Sequence, residues 1–421
     1  MKIYFSGIGG VGLGPLALIA ADMGHAVLGS DTANTAMTEA VKQRGGKISQ
    51  DQSGGFLQEA NEAGNIDWFV HSSAIGPDHL ELLRADQLGL KISKRDELLN
   101  YLIKDKRLKL IAITGTHGKT TTTGLVIWLM KQLSQPVSYS IGTEISFGDS
   151  GHYEAGSQYF VYEADEFDRN FLGFQPLIGI ITSIDYDHPD TYKTIDDYRS
   201  AFAEFISRCH CVFMWSQDKE VIEPVPAGVV HALSSSDDLG QINLPGHNQL
   251  NAYLAFRAVQ SLLPKIPDKT LLEAINRFPG TGRRFEQLKP GLYTDYAHHP
   301  VEIQSTIELA KNHNSNVVVV YQPHQNLRQH YLAQNQAYKT CFNNAKWVYW
   351  LPTYLSREDP AGEPIAPAEL IKGLENPTTV TVVNLDEELK RRIDVHLQAG
   401  DLVLLMSAGD LDGWARKNFR P

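Results

Sequence analysis

Residues 108–129 read LKLIAITGTHGKTTTTGLVIWL, and the fold follows from how this stretch must behave. Leu110 to Ile113 is continuously apolar and rich in β-branched residues, as a parallel strand covered on both faces would be. Gly115 and Gly118 let the chain turn sharply and bring backbone N–H groups close to an anion. Lys119 adds a point charge for terminal phosphates, and the Thr120 hydroxyl is placed for a magnesium ion. A helix then begins with its positive end aimed at the same spot. The stretch reads as a nucleoside-triphosphate loop, although Ile113 stands where the strict G-x-x-x-x-G-K-[ST] spacing has its first glycine. The plainer alternative is a glycine turn with a solvated lysine, which leaves the Gly-Lys-Thr order and the four threonines unexplained.

Working outward, 421 residues exceed one hydrophobic core and imply roughly two to four domains. A formal charge of −11 disfavours a nucleic-acid or anionic-membrane surface, but not a nucleotide held locally. Cys209, Cys211 and Cys341 form no C-x-x-C pair and suggest a reduced, cytoplasmic setting; the C-x-C at 209–211 is at most half a metal site. Met1 leads straight into a strand, so no signal peptide is expected. No apolar run approaches the roughly 18 residues of a membrane span.

Upstream, Lys2 to Gly14 is a strand followed by Gly7-x-Gly9-x-x-Gly12, with a helix over about Pro15–Met23. A second strand ends at Gly29-Ser30-Asp31, which completes a dinucleotide-type fingerprint that alone permits a dehydrogenase. A helix around Met37–Gly45, strands at Lys47–Ser49 and Trp68–His71, and a helix over Asp78–Gly89 continue a doubly wound domain of about 104 residues. A nicotinamide enzyme has no need of a second anion loop. An enzyme that joins a nucleotide-linked substrate to ATP chemistry uses both.

Downstream, Tyr159–Tyr162 is a strand ending in Glu163-Ala164-Asp165-Glu166, with Asp168 close behind. Ile178–Ile184 is a further strand, ending in Asp185-Tyr186-Asp187-His188-Pro189-Asp190. Carboxylates and an imidazole at strand ends beside a phosphate loop suit magnesium coordination or proton handling; solvated acidic turns are the alternative. Gly246-His247-Asn248-x-x-Asn251 opens a helix to Leu263, as either an adenine-reading pair of amides or a capped start. Pro279 to Glu286 combines a flexible joint with Arg283 and Arg284. The strand Tyr293–Tyr296 runs into Ala297-His298-His299-Pro300, and Val317–Tyr321 ends in Gln322-Pro323-His324-Gln325-Asn326-Leu327-Arg328. Strands at Trp347–Leu351 and Leu402–Met406 lead to Ser407-Ala408-Gly409-Asp410, and Asp386–Leu397 reads as a surface helix. Without an obvious covalent nucleophile, the parts support either an acyl-phosphate attacked by an amine or phosphorylation of a hydroxyl. Three domains favour the first, because carboxylate substrate, ATP and amine each need a surface.

The order of these motifs resembles the ATP-dependent Mur ligases of peptidoglycan synthesis. The matching stretches are GIGGVG at 7–12, GSD at 29–31, SSAI at 72–75, TGTHGKTTT at 114–122, EADEFD at 163–168 and DYDHPDTY at 185–192. They continue with GHNQLN at 246–251, GRRFE at 282–286, DYAHHP at 295–300, QPHQNLR at 322–328 and SAGD at 407–410. The resemblance implies an α/β, three-domain Mur ligase architecture. A Rossmann-like UDP-sugar domain would span 1–104, a central P-loop ATPase-type domain 105–281, and a Rossmann-like amino-acid domain 282–421. It implies ATP and Mg2+, with UDP-N-acetylmuramate and an amino acid, L-alanine first, joined through an acyl-phosphate. It reassigns the glycine fingerprint from NAD to the UDP-sugar.

By position, the resemblance puts the nucleotide on Gly115, Thr116, His117, Gly118, Lys119, Thr120 and Thr121. Asn248 and Asn251 would meet adenine, Arg284 the phosphates and Asp295 the ribose. Thr120, Glu163 and His188 would serve the metal. Lys119, Glu163, His188, His299, His324 and Arg328 would carry catalysis, with His298 in the zone where amine and acyl-phosphate meet. The UDP-sugar would lie on Gly9, Gly10, Val11, Gly12, Asp31, Ser72, Ser73, Ala74 and Arg95. A monomer or weak dimer is expected, with neither nucleic acid nor membrane as partner. The chain departs from the family pattern at Gln325, where an arginine commonly follows the QPH histidine. It departs also at Tyr4, usually histidine, and at Lys94, usually arginine. Because an amino-acid carboxylate wants a bidentate cation, Gln325 leaves open a ligase that attaches a preformed tripeptide to the same sugar. A non-catalytic UDP-sugar-binding protein is the third reading.

Overall fold

A computed structural model describes all residues except 73–74, 223–227, 235–236, 238, 357, 359–362 and 420–421. The chain divides into two compact units: Met1–Asp185, Arg199–Asn243 and Asn251–Pro279 in the first; Tyr186–Tyr198, Leu244–Leu250 and Gly280–Pro421 in the second.

The first unit carries two sheets. The strands β1 (Lys2–Ser6), β2 (Ala26–Ser30), β3 (Lys47–Ser49), β4 (Trp68–His71) and β5 (Ile92–Ser93) form a parallel sheet in the order β3-β2-β1-β4-β5. This is the doubly wound order, so the Gly7–Gly12 loop after β1 lies at the switch point, where such sheets leave a crevice. The second sheet holds β6 (Lys109–Thr114), β7 (Val137–Ser140), β8 (Gly151–His152), β9 (Tyr159–Glu163), β10 (Ile178–Ile181), β11 (Cys211–Trp215) and β12 (Val230–Leu233). Its order is β12-β11-β10-β6-β9-β7-β8, with only β8 antiparallel among the described strands. The strand feeding the phosphate loop is therefore flanked by the two that end in acidic runs. The buried Leu110, Ile111, Ala112 and Ile113 confirm that this central strand is covered on both faces.

The helix that follows the glycine loop and the edge strand β8 of the second sheet meet without a spacer. A Cβ built on Gly151 of β8 would fall 2.1 Å from the Pro15 carbonyl oxygen, in the helix Gly14–Asp22 that follows the glycine loop. Around that contact Arg44 pairs with Asp22 at 2.8 Å and with Asp149 at 2.5 Å, and the Tyr153 N–H donates to Asp22 at 3.1 Å.

The second unit is built on β13 (Glu286–Lys289), β14 (Leu292–Asp295), β15 (Val317–Gln322), β16 (Trp347–Trp350), β17 (Val380–Val382) and β18 (Leu402–Ser407). The order is β13-β14-β18-β15-β16-β17, antiparallel only at the β13–β14 hairpin. Alternation partitions the core: Val317, Val319 and Tyr321 face one helical layer, and Val318 and Val320 face the other. The ends of β14, β18 and β15 lie side by side, which brings Asp295, Ser407 and Gln322 to one edge.

The strand expected over Ile178–Ile184 stops at Ile181, because the following residues leave the ladder to serve the phosphate loop. Thr116 N–H donates to the Ser183 carbonyl at 3.0 Å, and His117 N–H to the Ser183 hydroxyl at 2.9 Å. The short strands β5, β8 and β12 were not foreseen, since two to four residues carry no readable period, and neither was the eight-residue helix Gly55–Glu62.

Candidate active site

In the first unit, Gly115 and Gly118 sit at φ +127° and +82°, where a side chain is strained. A Cβ on Gly118 would also lie 2.5 Å from the Asn251 Oδ1, so this glycine lets the helix His247–Leu262 press its amide against the loop. Gly118→Ala is expected to destabilise the protein by about 1–3 kcal/mol and to raise the KM for ATP. Calorimetry and initial rates check both.

The Lys119 ammonium donates to the Gly115 carbonyl at 2.6 Å, the Thr116 carbonyl at 3.3 Å and the Glu166 carboxylate at 2.9 Å. Burial acts to lower its pKa, but the charges of Glu166 and Asp165 outweigh that, and it is pushed up to about 12. It is a fixed cation. The Thr120 hydroxyl donates to Glu163 Oε1 at 2.8 Å, while Glu163 Oε2 accepts the Gly142 N–H at 2.8 Å. This pair, in the first turn of the helix Lys119–Gln132 and at the end of β9, offers only oxygen ligands, the donor set that a hard divalent ion such as Mg2+ prefers. The residues present therefore fit that ion. Thr116 and His117 lock the loop to its neighbour strand: the Thr116 hydroxyl donates to the Asp185 carbonyl at 2.6 Å, and His117 Nε2 lies 3.2 Å from the Asp185 carboxylate. Thr121 is buried in the first turn of the helix.

On the sheet β1–β5, Asp31 braces the glycine loop, accepting Gly9 N–H at 2.8 Å and Ala33 N–H at 3.1 Å. Ser72 lies against Gly7, and Arg95 against Gly12, at 3.2 and 3.4 Å from the Cβ that each glycine lacks. Gly10 and Val11 stand at the open tip, Val11 with 78% of its surface exposed. Ser73 and Ala74 lie outside the described residues. Arg95 also faces the acidic strand end; Tyr162 and then Asp165 raise its pKa, against burial between them. Beside it Lys94 pairs with Asp168 at 2.7 Å.

In the second unit, Asp187 holds the buried Arg328 at 2.6 and 2.8 Å through one guanidinium nitrogen. Burial would raise the Asp187 pKa, but Arg328 and the imidazoles of His188, His299 and His298 hold it well below the usual range. Arg328 Nε and Nη1 are buried without a hydrogen-bond partner, which leaves the fork able to take one more acceptor. His188 sits next to Asp187 with a left-handed backbone, φ 57°. Glu302 reaches back to the N–H groups of His298 and His299, at 3.2 and 3.3 Å, and fixes the start of the helix Pro300–Lys311. The His298 and His324 rings lie 5.7 Å apart, and His324 stacks on Tyr354.

His298 Nδ1 lies 3.0 Å from the Tyr296 carbonyl, so it carries the proton and leaves the Nε2 lone pair available. Burial, then Arg328, pushes the His298 pKa down to about 4. Since the unfolded imidazole titrates near 6.5, the native state gains stability that is present above pH 6.5 and lost as pH falls toward 4. The loss is about 3 kcal/mol. Thermal unfolding between pH 7 and 4 is expected to show this fall, and a His298→Gln variant to flatten it.

Asp295 braces the site: its buried carboxylate accepts Phe285 and Ala297 N–H, both at 2.7 Å, and so ties down the GRRFE joint. Arg283 and Arg284 are left-handed and half-buried respectively, and both lie over the Tyr296 ring, at 4.7 and 4.9 Å. Asn248 is half-buried at the start of the helix His247–Leu262, one turn before Asn251. Gln325 is buried with φ 61° and opens the helix Asn326–Gln334 that carries Arg328. Two carboxylates that matter here, Glu166 and Asp187, lie inside motifs legible in the sequence but were passed over for Glu163 and His188. Asp218, whose carboxylate accepts the Ile184 N–H at 3.1 Å, carried no signal at all.

Three family models cover the chain in order: "Mur ligase family, catalytic domain" at residues 2–107, "Mur ligase middle domain" at 113–238 and "Mur ligase, glutamate ligase domain" at 283–409. The chain is 32% identical to the UDP-N-acetylmuramate–L-alanine ligase of Clostridium acetobutylicum, across 97% of this chain and 95% of that protein. Among solved structures, the UDP-N-acetylmuramate-alanine ligase of Thermotoga maritima superposes with a TM-score of 0.76 at 25% identity, over 99% of this chain and 98% of that one. The murein peptide ligase of Psychrobacter arcticus shares the fold, with a TM-score of 0.69 at 22% identity over 99% and 98% of the two chains. Full-length similarity, three matched domain models and a lysine-bearing phosphate loop agree, and the chain belongs to the Mur ligase family.

Proposed function

We propose that this protein ligates L-alanine to the carboxylate of UDP-N-acetylmuramate with ATP, through an acyl-phosphate, as a cytoplasmic step of peptidoglycan precursor synthesis. The observation that carries the reading is the Lys119 loop beside the Thr120–Glu163 pair, in a chain that matches L-alanine ligases over nearly its whole length. The glycine loop with Asp31, Ser72 and Arg95 binds the UDP-sugar. Lys119 and the loop N–H groups hold the triphosphate, with Asn251 pressed on the loop from behind. Thr120 and Glu163 would hold a magnesium ion, which would supply charge neutralisation at the phosphate oxygens. Arg328 offers its unpartnered N–H groups to the incoming carboxylate, and the neutral His298 Nε2 accepts a hydrogen bond from the incoming amine. His299 and His324 line the same zone. Residues 1–104, 105–281 and 282–421 would form the sugar, nucleotide and amino-acid domains.

The test is phosphate release from ATP with UDP-N-acetylmuramate and a panel of amines. Turnover with L-alanine supports the reading; no turnover with any single amino acid sinks it. One observation favours a second amine: Gln325 supplies no charge where a second cation would help, and Arg328 is already half-neutralised by Asp187. L-alanyl-γ-D-glutamyl-meso-diaminopimelate therefore belongs in the panel, and turnover with it alone would make the chain a recycling ligase.

A further inference from the structure

An ammonium has three N–H donors, and in Lys119 all three are used within the protein: two on the carbonyls of the phosphate loop, one on Glu166. Glu166 is fully buried, and both of its carboxylate oxygens lie 2.9 Å from the Lys119 nitrogen. A phosphate that is to be held by Lys119 must take one of these donors, and it arrives as a second anion beside the first. We propose that Glu166 is a positioning residue that competes with the nucleotide's terminal phosphates for Lys119 and thereby sets how tightly ATP is held. This rests on the reading of Lys119 as the phosphate ligand.

Two effects act in one direction. Breaking the buried pair to free a donor costs part of its hydrogen-bond energy, and bringing phosphate close to an ionised Glu166 adds like-charge repulsion. The segment after Glu166 shows why the carboxylate does not simply swing away. Arg169 N–H donates to the Glu166 carbonyl at 3.1 Å, Asp168 and Arg169 are both left-handed at φ 53° and 56°, and Lys94 grips the Asp168 carboxylate at 2.7 Å. Backbone held in that region is over-determined by its surroundings. The backbone that carries Glu166 is thus anchored from outside the phosphate loop, so its carboxylate stays beside Lys119 when a phosphate arrives.

Glu166→Gln keeps the shape and an acceptor for Lys119 but removes the charge. Titration calorimetry with a non-hydrolysable ATP analogue and Mg2+ is expected to show binding about tenfold tighter in the variant, with adenosine binding unchanged because adenosine has no phosphate to compete. A merely structural role predicts the opposite, weaker analogue binding alongside a lower Tm. Analogue binding that is unchanged or weaker in a folded Glu166→Gln protein overturns the proposal. If that variant does not fold, Glu166→Asp, which keeps the charge but withdraws it by one methylene, is expected to bind the analogue more tightly than wild type, and equal or weaker binding has the same force. Wild-type protein that binds no analogue would instead refute Lys119 as the phosphate ligand, so the two failures are distinguishable.

Discussion

Lys119→Ala is expected to lower ATP-dependent turnover by at least about a thousandfold, because it removes the one cation that the phosphate loop fixes in place. The same change leaves Glu166 buried without its cation, and breaking such a pair costs about 3–5 kcal/mol. Loss of activity alone would then be ambiguous between chemistry and fold. Adding Glu166→Gln to Lys119→Ala removes the stranded charge. The double variant is expected to recover most of the lost thermal stability and none of the activity, as read by calorimetry and phosphate release. A Lys119→Ala protein that kept full turnover would remove the loop from the mechanism altogether.

Arg328→Ala is expected to produce the largest loss of stability in the second unit, again about 3–5 kcal/mol, because Asp187 would be left as an uncompensated buried anion. The effect depends on pH in a defined sense. The folded-state pKa of Asp187 is depressed, so the pair contributes stability above the ordinary carboxylate range and loses it as pH falls through the depressed value. Replacing both members by apolar residues of similar volume, Arg328→Met with Asp187→Leu, is expected to restore the Tm while leaving the amine unbound. Chemical denaturation of the three variants separates these outcomes. A small loss on Arg328→Ala alone would show that the pair is solvated in solution.

Much of this was legible before any coordinates, and for a physical reason. The glycine loop at 7–12 and the phosphate loop at 114–120 are contiguous, so their residue order encodes their geometry directly. Strands such as β6 and β15 are buried on both faces and announce themselves as apolar runs. What stayed hidden depends on contacts between distant segments. Lys119 and Glu166 are 47 residues apart, and Arg328 and Asp187 are 141 apart. Which carboxylate of Glu163-Ala164-Asp165-Glu166 meets the lysine is decided by the register of β9 on β6, which pairs Glu163 with Ile113. That register puts Glu163 beside Thr120 and delivers Glu166 to Lys119 only after the chain has left the strand. Spacing within the motif cannot show this. The bracing role of Asp295 was hidden for a related reason: an acidic residue at a strand end looks free, and its two backbone donors come from segments on either side of it.

The bare contact between Gly151 and Pro15 bears on how mutants of this protein will be interpreted. Position 151 belongs to the nucleotide half by sheet membership and lies far along the chain from the glycine loop. Yet a single methyl group there has nowhere to go but into the backbone of the helix that begins where that loop ends. Gly151→Ala is therefore expected to appear as a defect in UDP-sugar affinity with the KM for ATP little changed. A genetic screen sorted by substrate would file it under the wrong sheet.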